Sequence, residues 1–134
     1  MNAILDTGPW VALIDRSEAN HDHCAEWFKQ YAGKIYSTEA VLTEVLYLLN
    51  FANDAQIAAI DFVLESVVEL VPTSIESLNR AKSFMVKYSD LPMDYADATI
   101  VCLALETGIR NVITLDRKDF SIYRIKNQPF SLMP

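Results

Sequence analysis

Four acidic residues of this sequence stand where a carboxylate has chemistry open to it: Asp6, Glu44, Asp97 and Asp116. Asp97 and Asp116 both lie in the stretch from Met93 to Phe120. There Asp94 precedes an apolar run and is placed to cap a helix, so Asp97 falls in the first turn, where the helix dipole favours an anion. Val101, Cys102, Leu105 and Ile109 follow at helical spacing, and Gly108 is a stop signal. Asn111 to Leu115 is a short β-branched run that reads as a buried strand, with Asp116 at its carboxyl end. In an open parallel sheet, helix starts and strand ends share one edge, and ligands bind at that edge. Asp6 has the same setting, because it ends the apolar opening Asn2 to Leu5 and is followed by Thr7-Gly8-Pro9.

Glu44 differs in kind. It stands inside a helix, from about Glu39 to Phe51, that is apolar over most of its circumference: Val41, Leu42, Val45, Leu46, Leu48 and Leu49. A carboxylate in such a run is costly unless it is paired or binds a cation. Each acid also has a plain structural reading. Asp6 and Asp116 could be turn or cap residues, Asp97 a partner for the helix dipole, and Glu44 part of an exposed strip beside Glu39 and Thr43.

The chemistry depends on convergence. Two unit charges about 4 Å apart repel by roughly 4 kcal/mol at an effective dielectric of about 20. Four carboxylates at one place must therefore take up protons or a cation. Ligation by oxygen alone suits Mg²⁺ or Mn²⁺. A cation held in that way polarises phosphate oxygens and activates water, which is the chemistry of phosphodiester hydrolysis. The chain lacks the glycine-rich loops of nucleotide-binding folds, and no serine has a hydrolase elbow context. His21 and His23 flank Asp22 at a helix start, but residues two apart do not face each other on a helix, so they make a poor metal pair.

The elements that must position the acids follow in order. After the strand Asn2 to Leu5, a helix starts at Pro9 with Trp10, Leu13 and Ile14 on its apolar face. A helix from His21 to Tyr31 turns Cys24, Trp27, Phe28 and Tyr31 inward. Lys34 to Tyr36 is a brief strand, and Ser37 or Thr38 caps the helix that carries Glu44. Another helix starts at Asn53. Glu69 to Val71 is a strand closed by Pro72, and Ser74 caps a helix to about Tyr88. Beyond Phe120, Ile122 to Arg124 is a candidate edge strand. This alternation predicts an α/β/α three-layer sandwich on a mostly parallel sheet, formed by one domain over residues 1–134.

Composition narrows the class. Hydrophobic residues make up 51% of the chain, which argues against disorder. No apolar run is long enough to span a membrane, and no secretory signal is visible at the start. Cys24 and Cys102 have no zinc or Cys-x-x-Cys spacing and read as buried free thiols of a reducing, cytoplasmic protein. The net charge of −7 disfavours general coating of nucleic acid. That charge is uneven: residues 1–79 hold 3 basic and 12 acidic side chains, whereas residues 80–134 hold 8 basic and 6 acidic. A local basic face around Arg117, Lys118, Arg124 and Lys126 therefore stands beside a large acidic surface suited to a basic partner.

The segments Leu5 to Leu13, Thr43 to Leu46, Asp94 to Ala104 and Ile113 to Phe120 together resemble the PIN-domain nucleases, and most closely the VapC-type toxins of toxin–antitoxin pairs. The resemblance runs from about Asn2 to Arg124. It implies that Asp6, Glu44, Asp97 and Asp116 form an acidic, metal-binding and catalytic pocket. Asp6 and Asp97 would be the principal ligands, and Asp94 and Asp119 would match further, less uniform acids. Thr114 matches a hydroxyl near that pocket, and Thr7 is a second supporting hydroxyl. Gly8-Pro9 departs from the usual serine and aliphatic pair, which touches the turn more than the chemistry. The implied activity is a Mg²⁺- or Mn²⁺-dependent endoribonuclease acting on single-stranded RNA. The implied assembly is a homodimer silenced by a small basic antitoxin, which would dock near Trp10, Trp27 and Leu46. Arg117 or Lys118 would meet RNA phosphate. Three rivals remain: a nuclease of RNA processing with no toxin role, a catalytically inactive protein-binding module, and a metal-dependent phosphatase. The phosphatase lacks its Asp-x-Asp pattern here, where the chain reads Asp6-Thr7-Gly8.

Overall fold

The computed structural model describes residues 1–134. Strand β1 (Ala3–Leu5) leads into α1 (Thr7–Ile14) and α2 (His21–Gln30). Next come β2 (Ile35–Ser37), α3 (Glu39–Leu48) and α4 (Asn53–Leu64), then β3 (Glu69–Leu70), α5 (Ile75–Lys87) and α6 (Tyr95–Thr107). The chain closes with β4 (Asn111–Ile113), α7 (Arg117–Phe120), β5 (Arg124–Ile125), β6 (Gln128–Pro129) and β7 (Ser131–Met133). The main sheet has the order β3-β2-β1-β4-β7, and every pairing in it is parallel.

That order fixes both the layers and the position of the site. Steps from β1 to β2 to β3 run in one direction across the sheet, and the step to β4 runs back past β1. Right-handed crossovers then put α1–α4 on one face and α5–α6 on the other. Helices α1–α4 pack among themselves and α5 packs along α6, while α3 also reaches α6, where Thr38 meets Thr99. The predicted α/β/α sandwich on a parallel sheet is therefore the observed architecture. The reversal between β1 and β4 is a topological switch point, which opens a crevice beyond their carboxyl ends.

The elements form where local chemistry dictates. Thr38 caps α3 through the Val41 N–H, and Ser74 caps α5 through the Ser77 N–H. Asp94 caps α6 through the Asp97 N–H, and Gly108 ends that helix at φ 78°. Helix α6 is the central packing element, buried at every position from Ala98 to Ala104. Two buried hydroxyl links hold the carboxyl edge together: Ser37 Oγ donates to the Leu5 carbonyl at 2.8 Å, and Thr38 and Thr99 share a hydrogen bond of 2.8 Å.

Three expectations change. The edge strand is β7, paired to β4, and not Ile122 to Arg124. Arg124–Ile125 instead forms a small antiparallel hairpin with Gln128–Pro129. Lys126 and Asn127, both at positive φ, make its two-residue turn, the geometry that suits a tight hairpin. Helix α3 ends at Leu48, short of Phe51, which leaves Phe51 exposed. Trp10, expected at a docking groove, is fully buried and offers nothing to a partner, whereas Trp27 and Leu46 are partly buried at the edge of the core. Cys24 and Cys102 are buried free thiols, and no helix is long and apolar enough to cross a membrane.

Gly108 supplies a direct check on this frame. A Cβ added there would meet no atom within 4 Å, so only its positive φ opposes substitution. Gly108→Ala is expected to destabilise the protein by about 1–2 kcal/mol in urea unfolding, with Gly108→Asn costing less. Equal stability of Gly108→Ala and wild type would contradict the left-handed cap.

Candidate active site

The crevice beyond β1 and β4 collects acids from four elements. Asp6 directly follows β1, and its N–H extends the ladder to the Ile113 carbonyl at 2.9 Å. It occupies the N-cap position of α1, yet its side chain makes no capping bond. The carboxylate turns instead to Thr114, whose Oγ1 donates to Asp6 Oδ2 at 2.7 Å. The same hydroxyl accepts the Asp116 N–H at 2.9 Å. Thr114 is thus the pin between the two strand ends, and the turn reading of Asp6 fails because the side chain is committed across the sheet.

Asp116 keeps part of its structural role. Its Oδ1 caps the short helix α7 by accepting the Asp119 N–H at 3.1 Å. That turn brings Asp119 round beside it. Carboxylate oxygens of Asp97, Asp116 and Asp119 lie within 4.8 Å of one another. Of the four acids singled out in the sequence, Asp97 and Asp116 therefore share the tight cluster. Asp6 and Glu44 stand outside this closest triad; the charge of Asp6 acts on Asp97, and that of Glu44 acts on Asp6. Glu44 is half-buried, and Thr7 Oγ1 donates to its Oε1 at 2.9 Å. Asp94, exposed at the rim, acts electrostatically on both Glu44 and Asp97.

Burial and mutual repulsion push the acids toward their protonated forms. Asp6 is 7% exposed, and desolvation raises its pKa to about 6 against the stabilising bond from Thr114, with the charges of Glu44 and Asp116 adding to the rise. Asp97 rises to about 8, first through desolvation and then through Asp6 and Asp94. Glu44 is also raised, chiefly by burial. Such a site carries a surplus of negative potential that an oxygen-seeking cation would relieve. The donor set is carboxylate and hydroxyl throughout, so the residues fit Mg²⁺ or Mn²⁺ and not a soft metal.

Two participants were poorly visible in the sequence. Asp119 was the weaker of two acids three residues apart, and that spacing on one helical turn was the available signal. Tyr123, which donates its hydroxyl to Asp97 Oδ2 at 3.0 Å, had no local signal, since it comes from the tail after α7. Arg117 is exposed, but its guanidinium bonds the Pro134 carbonyl, so Lys118 is the freer cation on that rim.

The shifts set a sign for stability. Asp97 and Asp6 have folded pKa values above their ordinary 3.8, so the folded chain holds more protons than the unfolded one between about pH 4 and pH 8. Their contribution is most favourable below pH 4 and is lost as pH rises through 6 and then 8. Without divalent cations, the melting temperature is expected to fall across that window. Asp97→Asn should flatten the upper part of the profile and melt higher than wild type near pH 8. Parallel profiles for the two proteins would contradict the environment assigned to Asp97.

Comparison with known proteins places these observations. Over 134 residues, 98% of this chain and 99% of the relative, the sequence is 29% identical to Ribonuclease VapC26 of Mycobacterium tuberculosis. The crystal structure of Mycobacterium tuberculosis VapC20, described as a Sarcin-Ricin loop cleaving toxin, superposes with a TM-score of 0.80 at 23% identity, covering 87% of this chain and 91% of that one. VapBC2 from Rickettsia felis, solved bound to a DNA fragment from its promoter, aligns over 100% of both chains with a TM-score of 0.67 and 17% identity. The family model described as PIN domain matches residues 3–126, from the first strand through the hairpin turn, and this chain belongs to the PIN domain family.

Proposed function

We propose that this protein is a Mg²⁺- or Mn²⁺-dependent endoribonuclease that hydrolyses phosphodiester bonds of single-stranded RNA and acts as the toxin of a toxin–antitoxin pair. The observation that carries the reading is the cluster of Asp97, Asp116 and Asp119 oxygens within 4.8 Å at the switch point, with Asp6 held by Thr114 and Glu44 by Thr7. Membership of the PIN domain family and the likeness to a ribonuclease over nearly the whole chain support it.

In this reading Asp6, Glu44, Asp97 and Asp116 hold the cation directly or through water, and Asp119 joins them. A bound Mg²⁺ or Mn²⁺ supplies a Lewis acid for phosphate oxygens and a more acidic bound water. The chain's own residues supply orientation. Thr114 fixes Asp6, and Thr7 fixes Glu44. Lys118 at the rim is placed to meet phosphate. The acids concentrate negative potential in the crevice, so an RNA backbone can approach only once a cation is present.

The partner follows from charge and surface. Similar folds include a toxin–antitoxin complex from Klebsiella pneumoniae. Residues 1–79 are strongly acidic, which suits a small basic antitoxin in the cytoplasm. Tyr47, Leu48, Phe51, Ile57, Ile60 and Leu64 are exposed on α3–α4 and the turn between them, an apolar surface that supports assembly as a homodimer.

Asp97→Asn should reduce cleavage of single-stranded RNA to the level of wild type in chelator, while leaving the fold intact. Full activity in the variant or in chelator would reject the mechanism. A wild type that binds a partner but cleaves no RNA would favour the inactive binding module. Cleavage that no antitoxin restrains would favour an RNA-processing nuclease.

An antitoxin arginine or lysine that enters the acidic crevice should matter far more than one on the surface. Its change to Ala is expected to weaken inhibition by roughly 2–5 kcal/mol, against about 0.2–1 kcal/mol for an exposed pair. Titrating RNA cleavage with the variant antitoxin measures the difference, and an effect within the exposed range would rule out entry into the crevice.

A further inference from the structure

We propose that Tyr123 is a positioning residue of the acidic site, holding the Asp97 carboxylate in place for the cation. The inference rests on the cation-binding reading above and adds to it a residue from the C-terminal segment.

Tyr123 is 0% exposed, although it carries a polar hydroxyl. A buried phenol needs a partner, and here that partner is Asp97 Oδ2 at 3.0 Å. The bond occupies one carboxylate oxygen and leaves Oδ1 for a ligand. An opposing force acts on the same group: Asp6, Asp94 and Asp116 all bear on Asp97 with like charge. A carboxylate on an untethered side chain would turn away from that crowd. The hydroxyl supplies a fixed donor against the turn, at a buried position where water cannot substitute for it.

The donor is fixed because the ring and the backbone are both clamped. The Tyr123 ring meets Tyr88 edge-on at 5.0 Å and Phe120 edge-on at 5.1 Å. Tyr88 grips a second time, since its hydroxyl accepts the Arg124 N–H at 2.9 Å. The Tyr123 N–H donates to the Asp119 carbonyl at 3.2 Å. One residue therefore links the turn that presents Asp116 and Asp119 to the helix that presents Asp97. Tyr123 is a cross-brace between α7 and α6, and it sets the spacing of the three clustered carboxylates. A phenylalanine would fill the same space and keep the aromatic contacts. Only the hydroxyl makes the brace, so removing that one oxygen isolates its role.

The test uses the full chain. In wild type, proton NMR should show a Tyr123 hydroxyl proton protected from exchange, with a nuclear Overhauser contact to the Asp97 β-protons. Its absence overturns the brace, whether or not any variant folds. Mn²⁺ alone is then titrated calorimetrically into wild type and Tyr123→Phe, with circular dichroism to confirm the fold. The expected result is a loss of about tenfold in Mn²⁺ affinity, the lower end of what removing a supporting hydrogen bond does to a metal site. Equal affinity in the two proteins overturns the positioning role and leaves the nuclease reading standing. A wild type that binds no Mn²⁺ overturns the cation-binding reading, and the role proposed for Tyr123 falls with it.

Discussion

Mutual repulsion among carboxylates is the constraint on which the rest of this structure turns. Asp97, Asp116 and Asp119 approach within 4.8 Å, Asp6 acts on Asp97, and Glu44 acts on Asp6. Pairs at such distances repel by several kcal/mol unless they are screened, protonated or bridged by a cation. No lysine or arginine forms a salt bridge with any of them; the one ion pair, Arg80 with Glu106, joins α5 to α6. The fold therefore opposes the repulsion with neutral donors. Thr114, Thr7 and Tyr123 each hold one acid by a hydrogen bond of 3.0 Å or less. Neutral donors orient an anion without cancelling its charge, which keeps the site open to a cation.

Such an arrangement needs rigid supports, and the sheet provides them. Asp6 and Thr114 emerge from adjacent strands whose register pairs Leu5 with Ile113. Their separation is set by backbone hydrogen bonds and not by loop conformation. Helix α6 presents Asp97 from a segment that is almost wholly buried beyond it, so its first turn cannot drift. The Thr38–Thr99 link ties the start of the Glu44-bearing helix to that same α6. Stability invested in the core is thus what sustains an unfavourable cluster at the edge, the usual relation between a functional site and its scaffold.

The surfaces divide in a similar way. The apolar side chains left exposed on α3 and α4 lie on the half of the chain that carries the acidic excess. The basic residues of the other half are partly engaged already: Arg117 bonds the Pro134 carbonyl, and the Arg124 guanidinium is tied to the carbonyls of Ser121, Ile122 and Tyr123.

The sequence by itself determined the order of the principal elements and the acids at their ends. Periodicity, a cap at Ser37 or Thr38 that the structure assigns to Thr38, caps at Ser74 and Asp94, and the stop at Gly108 are local effects, fixed by residues within one turn of each other. Asp6 and Asp116 were legible because β-branched runs ending in an acid say where a strand stops, and Glu44 because a charge in an apolar helix is anomalous. What depends on distant partners was not legible. Whether Asp6 capped α1 or crossed to Thr114 was decided by the parallel pairing of β1 with β4, residues more than a hundred positions apart. The edge strand shifted to Ser131–Met133 because the Lys126-Asn127 turn redirects the tail and aromatic packing draws Tyr123 into the core. Trp10 was buried by helices that local pattern could not bring over it. Tyr123 came to Asp97 only through that packing, because side-chain contacts across the fold are set by tertiary geometry and leave no trace in spacing along the chain.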